Sequence, residues 1–217
     1  MAEELGKIEK PPTEDFKRGR KLYFIPLVYG GEESPAEYLD KCNKYWNQVE
    51  KQMNDLELKL GQVGKIYHEL IPTGGEDGVN MIKDLNDKCY QTIKNRLDQG
   101  AQFQATEDSE LLTEFMDWSR CLALGLQNQK VVANVYNLYI EASKKRNEYI
   151  AKQIDETLKA DEIGVVFMRE GHQVQFPSDI QVFYVAPPAL DEIKRWLRDL
   201  SSSSQQEAEK SDKDKEG

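Results

Sequence analysis

The sequence has few cysteines, few histidines and no long apolar run. No segment approaches the roughly 18 consecutive apolar residues of a membrane-spanning helix, so we expect no membrane association. Its three cysteines, Cys42, Cys89 and Cys121, are far apart and lack the CxxC spacing of metal and redox sites. Isolated thiols are typical of a reducing compartment, which predicts a cytoplasmic protein.

Basic residues are outnumbered by acidic ones. There are 29 Lys and Arg against 39 Asp and Glu, a formal net charge of −10. Because binding to a phosphate backbone requires a basic surface, this balance predicts no nucleic-acid partner. Hydrophobic residues still make up 39% of the 217 residues, which is sufficient for the core of a folded domain.

Both ends of the chain lack apolar periodicity. Residues 1–21 alternate in charge around Pro11-Pro12, and we interpret them as a mobile arm. Residues 201–217 begin with four serines and contain no aromatic or β-branched residue, which predicts a disordered acidic tail. The intervening residues, 22–200, are expected to form a single domain.

Short apolar runs alternate with helical patterns in this domain. Strands are predicted at 22–29, 65–71, 163–168 and 179–185. A long helix between the first two strands would begin at a Ser34 cap, carry Trp46 on its apolar stripe and end at Gly61. The pattern predicts an α/β fold, with a small, mostly parallel sheet of about four strands and a helical lobe at 79–158.

Both histidines are predicted at the ends of strands, where ligands bind in open α/β sheets. His68 precedes Glu69, and His172 follows Glu170 by two residues. A histidine near a carboxylate can act as a general base or a metal ligand. The alternative is that both are ordinary residues of strand ends.

Arg146 lies on the apolar stripe of a long helix predicted at about 130–158. It is four residues from both Ala142 and Ile150, where a guanidinium is costly unless it is paired with a carboxylate or a ligand. The alternative is that its charged end reaches solvent near the helix end.

Three acids, Glu107, Asp108 and Glu110, cluster at the start of the preceding predicted helix, with Thr106 as its expected cap. Carboxylates are favourable at a helix N-terminus because of the helix dipole. We therefore assign these acids to helix stability rather than to function.

Several of these motifs together resemble the TraB/Tiki and erythromycin-esterase-like superfamily. They are Ile66-Tyr67-His68-Glu69-Leu70, the helical run from Lys145 to Ile154, the strand from Gly164 to Met168, and Gly171-His172. The resemblance implies that Glu69, Arg146 and His172 line one cleft. It also implies metal-dependent or acid/base hydrolysis there.

Two hypotheses follow from these motifs. In a hydrolase-like domain, Glu69 and His172 would be acid/base groups or ligands of a divalent metal, and Arg146 would clamp an oxyanion or a carboxylate. The family's first histidine motif is replaced here by Tyr29-Gly30-Gly31-Glu32, so a degenerate hydrolase-like domain is also consistent with the sequence. The second hypothesis is a non-catalytic module that binds a protein partner or forms a homodimer.

Overall fold

The computed structural model describes residues 18–31 and 33–213, with the backbone alone from residue 203 onward. Within these residues the fold is α/β, as predicted. The strands are β1 (Arg20–Pro26), β2 (Lys65–His68), β3 (Gln102–Phe103), β4 (Ile163–Met168) and β5 (Ile180–Tyr184). The helices are α1 (Ala36–Leu60), α2 (Gly75–Leu85), α3 (Asp87–Leu97), α4 (Ser109–Ala123), α5 (Gln129–Thr157) and α6 (Pro188–Lys213).

The five strands form one sheet in the order β3-β2-β4-β1-β5, and every pair is parallel. The apolar run of β4 is buried at all six positions, as expected for a central strand covered on both faces. Proline has no N–H for a strand ladder and is found mainly at sheet edges and bulges, yet the strand that contains Pro26, β1, lies between β4 and β5. Pro26 is instead the last residue of β1, where the ladder ends.

Helices cover both faces of the sheet. One core contains buried residues of α1, α2, α3 and α6, including Trp46, Ile82, Ile93 and Ile193. The core on the other face is built on α5, through Ile150 and Ile154. From the helical region predicted at 79–158, α2 and α3 thus contribute to the first core and the second half of α5 contributes to the other.

The ends of the described region differ from the predicted boundaries. Residues 1–17 of the predicted arm lie outside the described residues, and β1 begins at Arg20. Helix α6 continues beyond residue 200, the predicted end of the domain, to Lys213, and residues 214–217 again lie outside. No helix in the described part of the chain is long and apolar enough to cross a membrane.

Two predicted helix caps are wrong. Ser34 does not cap α1, because its Oγ accepts a hydrogen bond from the N–H of Gly31. The cap of α4 is Asp108 rather than Thr106, and its carboxylate accepts from two N–H groups of the first turn.

The apolar stripe at 82–97 is interrupted at Asn86, which separates α2 from α3. Asn86 has an extended backbone, its Oδ1 accepts from the N–H of Cys89 at 3.1 Å, and its Nδ2 donates to the carbonyl of Val28 at 2.9 Å. A single asparagine thus caps α3 and attaches it to the loop after β1.

Candidate functional site

A cleft of about 110 Å³ opens at the carboxyl end of the sheet, between β2 and β4. Glu69 follows β2 directly, and Arg169 and His172 follow β4. Arg146 reaches the same cleft from α5. The structure therefore brings together the three residues singled out in the sequence and adds Arg169.

The position of the cleft follows from the topology of the sheet. β2 and β4 are neighbours, but the chain leaves them toward opposite faces: Ile71 after β2 joins the core under α1, whereas Val174 after β4 joins the core under α5. In open parallel sheets, ligands bind in the crevice between two such diverging loops.

Arg146 is buried, and its main partner is Glu107. Its Nε donates to Glu107 Oε2 at 2.8 Å, and its Nη2 donates to Glu107 Oε1. Glu69 is a second carboxylate near Arg146 but is farther away, with 3.8 Å between Arg146 Nη2 and Glu69 Oε2. The assignment of Glu107 to the helix dipole is therefore wrong, because its carboxylate neutralises the buried guanidinium.

Glu69 is buried on the inner wall of the cleft. Its Oε1 accepts from the backbone N–H of Arg169 at 2.8 Å, and its Oε2 lies 3.4 Å from Arg169 Nε. Burial raises the pKa of Glu69, and the opposing effects of Arg169 and Arg146 do not cancel this rise. The carboxylate is thus a stronger base than an exposed glutamate.

Arg169 lies at the mouth of the cleft with 46% of its side chain exposed. Its guanidinium lies 5.1 Å from the ring centre of Phe115, and the Arg146 guanidinium lies 4.8 Å from the same ring. No acceptor in the described part of the chain is bonded to either Nη atom of Arg169. Arg169 was not predicted as a site residue, although its position directly after the buried apolar run of β4 was a usable signal.

His172 is half-buried, between Phe24 at 4.7 Å and Phe176 at 5.6 Å between ring centres. Its Nδ1 accepts from the N–H of Val174 at 3.2 Å, which assigns the proton of the neutral ring to Nε2. Burial, and then the charge of Arg169, lower the pKa of His172. Near pH 7 the imidazole of His172 is therefore neutral, and its Nε2–H can donate a hydrogen bond.

His68 does not line the cleft. It is fully buried, its Nδ1 contacts the carbonyl oxygen of Glu69, and its Nε2 has no partner among the described residues. Burial lowers the pKa of His68 to about 4. The interpretation of His68 as an ordinary residue at a strand end is consistent with this environment.

The residues of the cleft do not fit a divalent metal. The residues described in the structure contain no group of three or more His, Cys, Asp or Glu side chains able to hold a cation. Glu69 and His172 are the two expected ligands, but both oxygens of Glu69 face Arg169. A cation bound between Glu69 and His172 would be repelled by that guanidinium.

No family model, curated protein or solved structure matches this chain.

Proposed function

We propose that the cleft is a hydrolase-like site for small oxygen esters, with Glu69 as general base and His172 as hydrogen-bond donor. The observation that supports this proposal most is the convergence of Glu69, Arg146 and His172 in one cleft at the divergence of β2 and β4. These side chains come from three elements that are distant in sequence, and a stable core does not require them to meet.

The reaction needs only groups of the cleft and water. Glu69 accepts a proton from a water molecule, whose oxygen adds to the ester carbonyl carbon. The oxyanion that forms accepts a hydrogen bond from His172 Nε2–H. The carbon–oxygen bond to the alcohol then breaks, and the proton held by Glu69 passes to the departing alkoxide. The products are an alcohol and a carboxylic acid, which ionises at neutral pH.

Arg146 is a positioning residue in this proposal. Two of its three guanidinium nitrogens are bonded to Glu107, so it cannot form the predicted clamp with both of its Nη atoms. Its charge stabilises the ionised form of Glu69 at 3.8 Å, and its contact with Phe115 supports the ring on which Arg169 lies.

Kinetics with p-nitrophenyl acetate test the proposal, because the acetyl group is small enough for the cleft. We expect Glu69→Gln to lower kcat/KM by about 100-fold or more, since it removes the base and preserves the shape. Glu148→Gln is the matched control, because Glu148 is an exposed glutamate on α5. Equal rates for the parent, Glu69→Gln and Glu148→Gln would refute the proposed function.

The second candidate function, a homodimerising module, is favoured by the first half of α5. Between residues 129 and 141 no residue is buried, and Val131, Tyr136, Leu138 and Ile140 are exposed apolar residues. Residues 121–140 contain one charged residue, Lys130, in a chain of net charge −10. A second copy of the chain is the partner that this surface fits, because two copies can meet there without the repulsion expected elsewhere.

Sedimentation velocity tests this second function. It predicts a dimer for the parent protein, a monomer for Tyr136→Glu, and a dimer for the control Leu58→Glu, whose side chain is exposed on α1. A monomeric parent protein at high micromolar concentration would rule out the homodimer.

We also propose a cytoplasmic location and no nucleic-acid partner. All three cysteines are free, and Cys42 and Cys89 are buried, which supports a reducing compartment. The net charge of −10 supports the absence of a nucleic-acid partner.

A further inference from the structure

We infer that Arg169 and His172 form a binding pair for a small carboxylate at the mouth of the cleft. The same pair would hold the acyl end of the substrate, which makes esters of short-chain carboxylic acids the substrate class. That assignment rests on the proposed function, whereas carboxylate binding does not.

The Arg169 guanidinium has a constrained orientation, but only some of its N–H donors have a partner in the described region. Its central carbon lies over the ring of Phe115, and its Nε lies 3.4 Å from Glu69 Oε2, so two contacts constrain the orientation of the group. Both Nη atoms remain without an acceptor in the described region. A planar pair of N–H donors matches the two oxygens of a carboxylate, and an ordered group loses little entropy on binding.

His172 supplies a third donor beside this pair. Its Nδ1 is occupied by the N–H of Val174, so Nε2–H is the side of the ring that remains for a ligand. His172 and Arg169 line the same cleft, and the charge of Arg169 acts on the imidazole. An anion bound at Arg169 would reverse that effect and raise the pKa of His172.

Charge favours a small carboxylate over phosphate. The positive charges of Arg146 and Arg169 are matched by Glu69 and Glu107, so the cleft has no excess positive charge to offset the higher desolvation cost of a dianion. A cleft of about 110 Å³ has room for a ligand of only a few non-hydrogen atoms. Acetate meets both conditions.

The experiment is an NMR titration of the two histidines with sodium acetate at constant ionic strength. Because the chain has only two histidines, their imidazole signals are readily assigned with His172→Phe. We expect acetate to shift the His172 signals and to raise its pKa by about one unit, with His68 unchanged as an internal control. Unchanged His172 signals at high acetate concentration would overturn the inference.

Two variants identify the anion partner. Arg169→Gln should weaken acetate binding at least tenfold, whereas Arg198→Gln, at an exposed arginine of α6, should bind acetate as the parent does. An unchanged His68 signal shows that each variant is folded. Equal acetate affinity in Arg169→Gln, or tighter binding of inorganic phosphate than of acetate by the parent, would overturn the inference.

The outcomes separate the two proposals. Acetate binding at His172 without turnover of p-nitrophenyl acetate would refute the hydrolase-like function but would support carboxylate binding by Arg169 and His172. Turnover that depends on Glu69, without acetate binding at Arg169 and His172, would refute the carboxylate pair alone.

Discussion

Two buried arginines, Arg96 and Arg146, are each held by carboxylates from other segments. Arg96 donates to Glu50 at 2.5 Å and to Glu57 at 3.0 Å, and thereby ties α3 to α1 away from the cleft. Arg146 is bonded to Glu107 next to the cleft. Each guanidinium leaves water only because its charge is compensated, so removing one partner leaves the other uncompensated.

Arg146→Met should lower the free energy of unfolding by about 3–5 kcal/mol, because it leaves the buried carboxylate of Glu107 without a counter-charge. The control is Arg120→Met, at an arginine with 72% of its side chain exposed, which should change stability by less than about 0.5 kcal/mol. Urea unfolding monitored by tryptophan fluorescence measures both. A change of less than about 1 kcal/mol for Arg146→Met would contradict the assigned pairing.

His68 should make stability depend on pH. The folded state protonates His68 only near pH 4, whereas the unfolded chain does so near pH 6.5. Between these values the unfolded state binds more protons, so about 3 kcal/mol of stability is present above pH 6.5 and is lost as the pH falls to 4.

His68→Phe should remove this contribution from the pH dependence. The difference in unfolding free energy between pH 7.5 and pH 4, measured by urea titration at each pH, should become about 3 kcal/mol smaller than in the parent. Parallel pH profiles for the parent and the variant would show that His68 is not buried in its neutral form.

For single residues, the sequence indicated which positions are unusual but not which residues they contact. Arg146 stood out because a charge interrupted an apolar helical stripe. Its partner Glu107 is 39 residues away, and no local pattern distinguishes a buried glutamate from one that stabilises a helix N-terminus. Glu69 and His172 were indicated as site residues because they lie at predicted strand ends. Whether the two residues meet depends on which strands are neighbours in the sheet.

The packing of α1 against the sheet depends on the apolar stripe of this helix. Trp46 is buried against the sheet, and its Nε1 donates to the carbonyl of Val28 at 3.3 Å. Trp46→Ala should cost about 3–5 kcal/mol through lost burial and a cavity. Leu58→Ala, at a residue of the same helix that is 86% exposed, should have little effect. Similar unfolding midpoints in guanidinium for the two variants would contradict the register of α1.

Elements were predictable where one residue pattern dominates. The apolar run of β4 and the long stripes of α1 and α5 specify their elements within one or two residues. β3 has only two residues, too few for a pattern, and depends on pairing with β2. The break between α2 and α3 at Asn86 has no signal in the hydrophobic pattern, because the apolar spacing continues across it.

On the scale of the whole molecule, the strand order creates the site. β4 is inserted between β1 and β2, which places the loop after β4 beside Glu69. Sequence order suggests that consecutive strands are neighbours, and it contains no signal for this insertion. The parallel α/β fold class could be predicted from the sequence, but the position of β4 next to β2 could not.

The last part of α6 should be dispensable for stability. The buried residues described on α6 are Ala189, Leu190 and Ile193, all in its first two turns. Removing residues 201–217 should leave the thermal unfolding midpoint unchanged, because no described core contact is lost. A fall of several degrees in differential scanning calorimetry would show that the removed segment packs against the domain.

If one cleft both hydrolyses a small ester and holds its carboxylate product, acetate must inhibit the hydrolysis of p-nitrophenyl acetate. We expect competitive inhibition, with KM raised, kcat unchanged and an inhibition constant equal to the acetate Kd measured at His172. Hydrolysis that is unaffected by acetate concentrations that saturate His172, or no hydrolysis at all, would contradict it.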